Sequence, residues 1–195
     1  MKKYIFALFF VVILLGCKSN KYDNIGIYRD PKKLNLLIYK DEDSTEIIIP
    51  FAFKIFNNSN IELELNPVKP KRKVTFLTEQ HYINENNELQ IFLFKKIKSK
   101  DSLTVIVFGS KKLKNEEVNY PFVKEKSLEE YKKLITIEDY QDIAFKKTDA
   151  YLNIIKNLEK DSICFEFTNQ VKNLNFYKVG TLEGKTFFTH DTSNK

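Results

Sequence analysis

The chain predicts a mainly β fold, an antiparallel sandwich with an α-helical insert near residues 127–159. Three observations carry this expectation. From residue 34 to residue 109, apolar side chains recur with a period of two, which puts alternate residues on one face of a strand. These strands are separated by Asn-rich turns at spacings of roughly 12–15 residues, the rhythm of an antiparallel sandwich. Between residues 127 and 159 the period becomes that of a helix, and alternation then returns.

The elements follow in order. Residues 25–28 form a short edge strand inside a polar leader, and residues 34–39 form the first strand of the body. Residues 46–56 are the strongest strand, with Ile47, Ile49, Phe51, Phe53 and Ile55 on one face. Ile48 and Ala52 on its other face predict a central position, buried on both sides. Pro50 lacks a backbone donor and points to a bulge or a sheet-switching bend. Asn57, Asn58, Ser59 and Asn60 are turn chemistry. Residues 61–65 then alternate, apolar inward and acidic outward. After a loop at 67–73 come strands at 74–78, 89–94 and 103–108, with a turn at 84–88 and a basic connection at 95–101.

Ser127 with Glu130, and Thr136 with Asp139, have the spacing of capping boxes. They predict a short helix from 128 to 135 and a longer one from 137 to 159. On the longer one Tyr140, Ile143, Ala144, Tyr151, Ile154, Ile155 and Leu158 form an apolar stripe suited to packing on a sheet. Strands at 162–168, 175–179 and 185–189 complete the pattern, with a turn at Glu183 and Gly184 and a polar tail expected to fray from His190. The pattern resembles immunoglobulin-like sandwiches at the level of fold. The Cys…Trp…Cys hallmark is missing, and the likeness implies no activity.

Composition narrows the function classes. With 43% hydrophobic and 30% charged residues the chain has a globular balance, and 17 Phe with 10 Tyr suit a sheet-built core. The net charge of +6 rests on 30 Lys and only two Arg, Arg29 and Arg72. Dedicated phosphate or nucleic-acid sites favour the planar fork of Arg, so no nucleic-acid partner is expected. Lys, Asn, Ile and Phe all have A/T-rich codons, and codon bias accounts for much of the basicity.

The N-terminus carries the most specific signal. Lys2 and Lys3 precede an apolar run from residue 4 to residue 15, followed by Gly16 and Cys17. A basic start, a short hydrophobic stretch and a small residue at a cleavage point make up a secretory signal, and the run is too short to span a bilayer. Leu14, Leu15, Gly16 and Cys17 resemble the lipobox of bacterial lipoproteins. The resemblance implies cleavage between Gly16 and Cys17 and acylation of Cys17, which becomes the membrane anchor. Lys2 and Lys3 then leave with the signal. No acidic run follows Cys17, which tilts the expected location toward the outer membrane, facing the periplasm. Asn57, Asn58 and Ser59 also fit a glycosylation sequon, but in a bacterial lipoprotein they read as a turn. The domain plan is a signal peptide at 1–16, a lipidated cysteine and tether at 17–33, one sandwich domain at 34–190 and a tail at 191–195.

The inventory for catalysis is thin. His81 and His190 have no metal-ligand spacing to other donors, and Cys164 alternates with Ile163 and Phe165 as a core thiol would. With Cys17 acylated, Cys164 has no cysteine left to pair with inside the chain. There is no nucleophile elbow, Walker loop or dinucleotide turn, and five glycines are few for phosphate loops. Asp41, Glu42, Asp43 and Glu46 supply oxygens for a hard cation but lack EF-hand spacing, and read as a solvated turn. No metal, cofactor or enzymatic activity is expected.

Three Lys-rich patches remain. One contains Lys71, Arg72 and Lys73, the second Lys95, Lys96 and Lys98, and the third Lys111, Lys112 and Lys114. The first two are candidates for a basic rim at one end of the sandwich, and plain solubility or edge protection is the simpler use of all three. The expectation is a lipid-anchored envelope protein that acts by protein binding, as an accessory or interaction subunit. An immunity or inhibitor lipoprotein and a carrier of a small apolar ligand are the alternatives.

Overall fold

In the computed structural model of this chain, residues 24–31, 34–66, 69–70, 80–83, 88–115, 145–172 and 174–191 are described. The strands are β1 (Ile25–Arg29), β2 (Leu37–Lys40), β3 (Ser44–Asn57), β4 (Leu63–Leu65), β5 (Lys69–Pro70) and β6 (Gln80–Ile83). They continue with β7 (Leu89–Phe92), β8 (Lys95–Ile97), β9 (Asp101–Lys114), β10 (Ser162–Asn169), β11 (Leu174–Thr181) and β12 (Phe188–Asp191). Helix α1 (Asp149–Leu158) lies between β9 and β10.

Two antiparallel sheets face each other. In the first the order is β1-β3-β9-β6-β7, with β2 also on β3; in the second it is β12-β11-β10-β4-β8, with β5 also on β10. Two packed antiparallel sheets are as far as the immunoglobulin likeness reaches.

The β3–β9 pair is the backbone of the molecule. Its register runs without a break from Ser44 opposite Lys114 to Asn57 opposite Asp101. Ile47, Ile49, Phe51, Phe53 and Ile55 of β3 are buried between the sheets, where they meet Ile163, Phe165 and Phe167 of β10. The rings of Phe53 and Phe165 meet edge to face at 5.5 Å, and those of Phe167 and Phe176 stack at 5.2 Å. Burial alone is worth roughly 1.5–3 kcal/mol for each large apolar side chain. On the other face of the same sheet Leu37, Ile48, Ala52, Ile106 and Phe108 form a second buried cluster, so β3 is covered on both sides as its apolar run predicts.

Pro50 does not bend β3. Asp30 N donates to Ala52 O, so Ala52 addresses the edge carrying β1 and β2, and Pro50, two residues away, addresses the same edge. There β1 has ended at Arg29 opposite Phe53 and β2 does not begin until Leu37 opposite Ile48. The missing donor thus falls where the partner strand leaves the sheet, and the ladder to β9 is untouched. The interruption lies not in β3 but between its neighbours, where β1 ends at Arg29 and β2 begins at Leu37.

The predicted helix from 137 to 159 is broken. Lys146 and Lys147 form a turn, and Thr148 starts a new helix as an extended N-cap whose side chain accepts from Tyr151 N at 3.2 Å. The carbonyl of Phe145 takes Thr148 N at 2.9 Å and Thr148 Oγ1 at 2.8 Å, so the preceding turn is closed independently. Ile154 and Leu158 of α1 are buried in the core between the sheets. Gly109 permits this: a Cβ there would lie 3.1 Å from Phe51 and 3.3 Å from Leu158. Helix α1 therefore packs on the sandwich. The earlier portion of the insert, with both predicted capping boxes, Tyr140, Ile143 and Ala144, lies outside the described residues.

Other boundaries shift. The body begins at Ile25, because β1 is a full member of the first sheet and not part of a tether extending to residue 33. Lys95, Lys96 and Ile97, expected as a connection, form β8 on β4. The expected frayed tail from His190 is still strand: His190 pairs with Tyr177 and Asp191 with Phe176. The strand expected at 74–78 lies outside the described residues.

Candidate functional site

One end of the sandwich is assembled around Asn57. This side chain is fully buried, and its Nδ2 donates to the carbonyls of Ile61 at 2.8 Å, Ile97 at 3.0 Å and Lys98 at 3.0 Å. Its Oδ1 accepts from Ser59 N at 3.1 Å and Ser59 Oγ at 2.5 Å. One amide thereby ties together the end of β3, the approach to β4 and the end of β8. The glycosylation nitrogen of the sequon is the one occupied here, and the segment is the turn that its composition predicts. The polypeptide enters the fold at this end, since Asn58 N donates to Asn24 O and Ile25 pairs with Asn57.

The same end carries exposed cations. Lys98 is exposed just beyond β8; Lys100 takes a positive φ of 62° in the turn into β9, and its Nζ donates to Asn58 O at 2.5 Å. Across the end, the β10–β11 hairpin puts Val171 at 91% exposure beside exposed Lys172, whose backbone N donates to Asn169 Oδ1 at 2.8 Å. Lys96 pairs with Glu62 at 3.2 Å. Between Glu62 and Val171 lies a cleft of about 150 Å³, well below the usual volume of a small-molecule site.

The opposite end is built on a surface amide. Asn115 Nδ2 donates to the carbonyls of Asp41 at 3.1 Å and Glu42 at 2.8 Å, and its Oδ1 accepts from the buried Thr45 at 2.7 Å. Lys112 pairs with the Asp41 carboxylate at 3.3 Å. The acidic tract is therefore a solvated turn, and two of its carbonyls are already engaged. Among the described residues no three His, Cys, Asp or Glu side chains are grouped to hold a metal ion.

A third surface lies on the flank. The chain leaves β7 at Phe92, crosses to the other sheet through Leu93 and Phe94, and resumes as β8 at Lys95. Leu93 is 80% and Phe94 58% exposed, and Ile91 beside them is also exposed. Two residues are too few to fold a crossover back onto the core, so these side chains stay in water.

Of the predicted basic rim, Lys98 lies at the Asn57 end, Lys96 is ion-paired and Lys95 is half-buried on β8. Lys71, Arg72 and Lys73 lie outside the described residues, as do Gly16 and Cys17. Lys111, Lys112 and Lys114, which are not part of that rim, belong to the far end of β9. Cys164 is buried in β10. His81 belongs to β6, opposite Ile106, and His190 to β12.

Sequence reasoning passed over Arg29. Its guanidinium lies 4.3 Å from the Phe51 ring centroid, and Nη1 donates to the Leu182 carbonyl. Burial pushes its pKa down, while the charges of Glu159 and Tyr151 oppose that shift. Gly184, at φ 75°, leaves room for it: a Cβ there would lie 2.7 Å from Arg29 Cβ. Its rarity was the available signal, since a chain so rich in Lys keeps Arg here, where a flat cation stacks on a ring.

The chain matches no family model, no curated protein and no solved structure. Among the described residues no helix is long and apolar enough to cross a membrane.

Proposed function

We propose that this protein is a lipid-anchored component of the bacterial envelope, held at the outer membrane through Cys17, that acts by binding another envelope protein. The flank formed by Ile91, Leu93 and Phe94 is the docking surface. The observation that carries this reading is the exposure of Leu93 and Phe94 together, beside exposed Ile91. Clustered apolar side chains held in water favour contact with a partner. Anchoring raises the local concentration, so even a weak contact is occupied.

Of the alternatives, the carrier of an apolar ligand has the least support. Phe51, Phe53 and Phe92 are packed in the core and Phe94 is at the surface, so three of these four rings are taken up by packing between the sheets.

The test is mild cross-linking in native membranes, comparing the wild-type chain with Cys17→Ser and with Leu93→Asp/Phe94→Asp. The expected result is one recurrent envelope protein, lost in both variants. Equal recovery with Leu93→Asp/Phe94→Asp would remove the flank from the proposal. Stoichiometric capture of a soluble toxin or enzyme would replace the accessory reading with the inhibitor one.

A further inference from the structure

We infer that the Asn57 end of the sandwich lies against the bilayer, with Lys98, Lys100 and Lys172 on anionic lipid headgroups and Val171 at the interface. The inference rests on Cys17 being the lipid anchor and asks which way the anchored domain points.

Chain geometry supplies the first argument. Residue 25 opens β1 at the Asn57 end, and residues 18–24 are the only link between it and Cys17. Seven residues reach about 25 Å at full extension, whatever conformation they take. The β3–β9 pair that sets the height of the sandwich runs from Asn57 opposite Asp101 to Ser44 opposite Lys114. At 3.3 Å per residue this is roughly 40 Å. The tether is too short to bring the Asp41 turn to the membrane with the Asn57 end pointing away.

Charge supplies the second. At the far end, exposed Lys111, Lys112 and Lys114 are interspersed with exposed Asp41, Glu42 and Asp43, and Lys112 is paired with Asp41. At the tether end Glu62 is taken up by Lys96, which leaves exposed Lys98, Lys100 and Lys172 against Asp101. Exposed Lys40 and half-buried Glu46 at the far end offset each other, so among the described residues the surplus of positive charge lies where the tether attaches, and an anionic surface within a Debye length attracts it. Val171, at 91% exposure between Gln170 and Lys172, is the kind of apolar tip that enters the headgroup boundary while its neighbour stays with the phosphates.

The experiment uses the full acylated chain in vesicles of phosphatidylcholine and phosphatidylglycerol, at roughly three parts to one, containing a lipid-borne fluorescence quencher. Single labels are placed through Val171→Cys and Glu42→Cys; acylation blocks Cys17 and burial shields Cys164. The label at 171 is expected to be strongly quenched and the label at 42 to be untouched. Lys98→Glu/Lys172→Glu is expected to cut quenching at 171 severalfold, and Lys111→Glu/Lys114→Glu to leave it unchanged. Quenching at 42 equal to that at 171 would overturn the orientation, and so would equal effects of the two charge reversals. Mass spectrometry of the native protein separates the two levels. An unmodified Cys17 overturns the anchor reading and this inference together, whereas a lipidated Cys17 with an unquenched residue 171 overturns the inference alone.

Discussion

Each end of the sandwich is held by one asparagine side chain that donates to carbonyls of a neighbouring turn, yet the two are built to different standards. Asn57 is fully buried and bonds carbonyls from both sheets' connections, whereas Asn115 is exposed and bonds the turn beside it and the Thr45 hydroxyl where β3 begins. The difference lies in what replaces the amide when it is removed. At Asn115 water reaches the turn carbonyls; at Asn57 the bond to the Ile97 carbonyl is buried and water does not replace it. The end where β1 enters the fold is therefore the more firmly built one, and the far end is a surface turn.

The largest expected effect tests this directly. Asn57→Ala removes the buried bond to the Ile97 carbonyl, while Ile61 O keeps Ser59 Oγ and Lys98 O keeps Asp101 N, and its expected cost is roughly 2–3 kcal/mol. Asn115→Ala opens its turn carbonyls to solvent, removes the acceptor of the Thr45 hydroxyl and is expected to cost about 1 kcal/mol. Urea unfolding of the two variants beside the wild type measures both. Equal losses would mean that burial does not separate the two ends.

Next comes Arg29, which closes the space between α1 and the β11–β12 turn. Arg29→Lys keeps the charge but loses the flat stacking on Phe51 and the directed bond to the Leu182 carbonyl. The expected loss is about 1–2 kcal/mol, read as a lower urea midpoint with an unchanged slope. An Arg29→Lys variant as stable as the wild type would show that only charge matters there.

Thr148→Ala is smaller. It removes the acceptor for Tyr151 N at the start of α1, with an expected cost of about 1 kcal/mol, and Thr148→Gly is expected to cost only a few tenths. Because α1 packs on β9 through Leu158 at Gly109, loosening of its first turn is also expected to speed amide exchange at Tyr151.

These sites show what the sequence makes legible. β3 was readable on both faces because Ile48 and Ala52 interrupt the alternation that a half-exposed strand would show. The sandwich, the strong strands and the Gly184 turn followed from the same local rules. The break at Thr148 was hidden because the apolar stripe runs through it in phase, while the cap that makes the break depends on one hydroxyl. β8 was missed because Lys95 and Lys96 read as a connection, and only the β4 edge makes them a strand. Lys178 shows the same limit. Its position opposite Phe165 turns it to the inner face, a fact of register that the residue type opposes. At the proposed surfaces, exposure of Leu93 and Phe94 is a property of the crossover and not of their own alternation.

The smallest effect completes the contrast between the ends. Lys112 and Asp41 meet at 3.3 Å with both side chains well exposed, at 63% and 72%. Such a pair gains little attraction in water and gives up side-chain freedom to form. A double-mutant cycle with Lys112→Ala and Asp41→Ala is expected to give a coupling of about 0.5 kcal/mol or less, abolished by high salt. The Asp41 variant keeps the main-chain carbonyl that Asn115 holds, so the turn itself stays capped. A coupling above about 1 kcal/mol would mean that the charges, and not Asn115, hold this end, and would place the ion pair on a par with a buried contact.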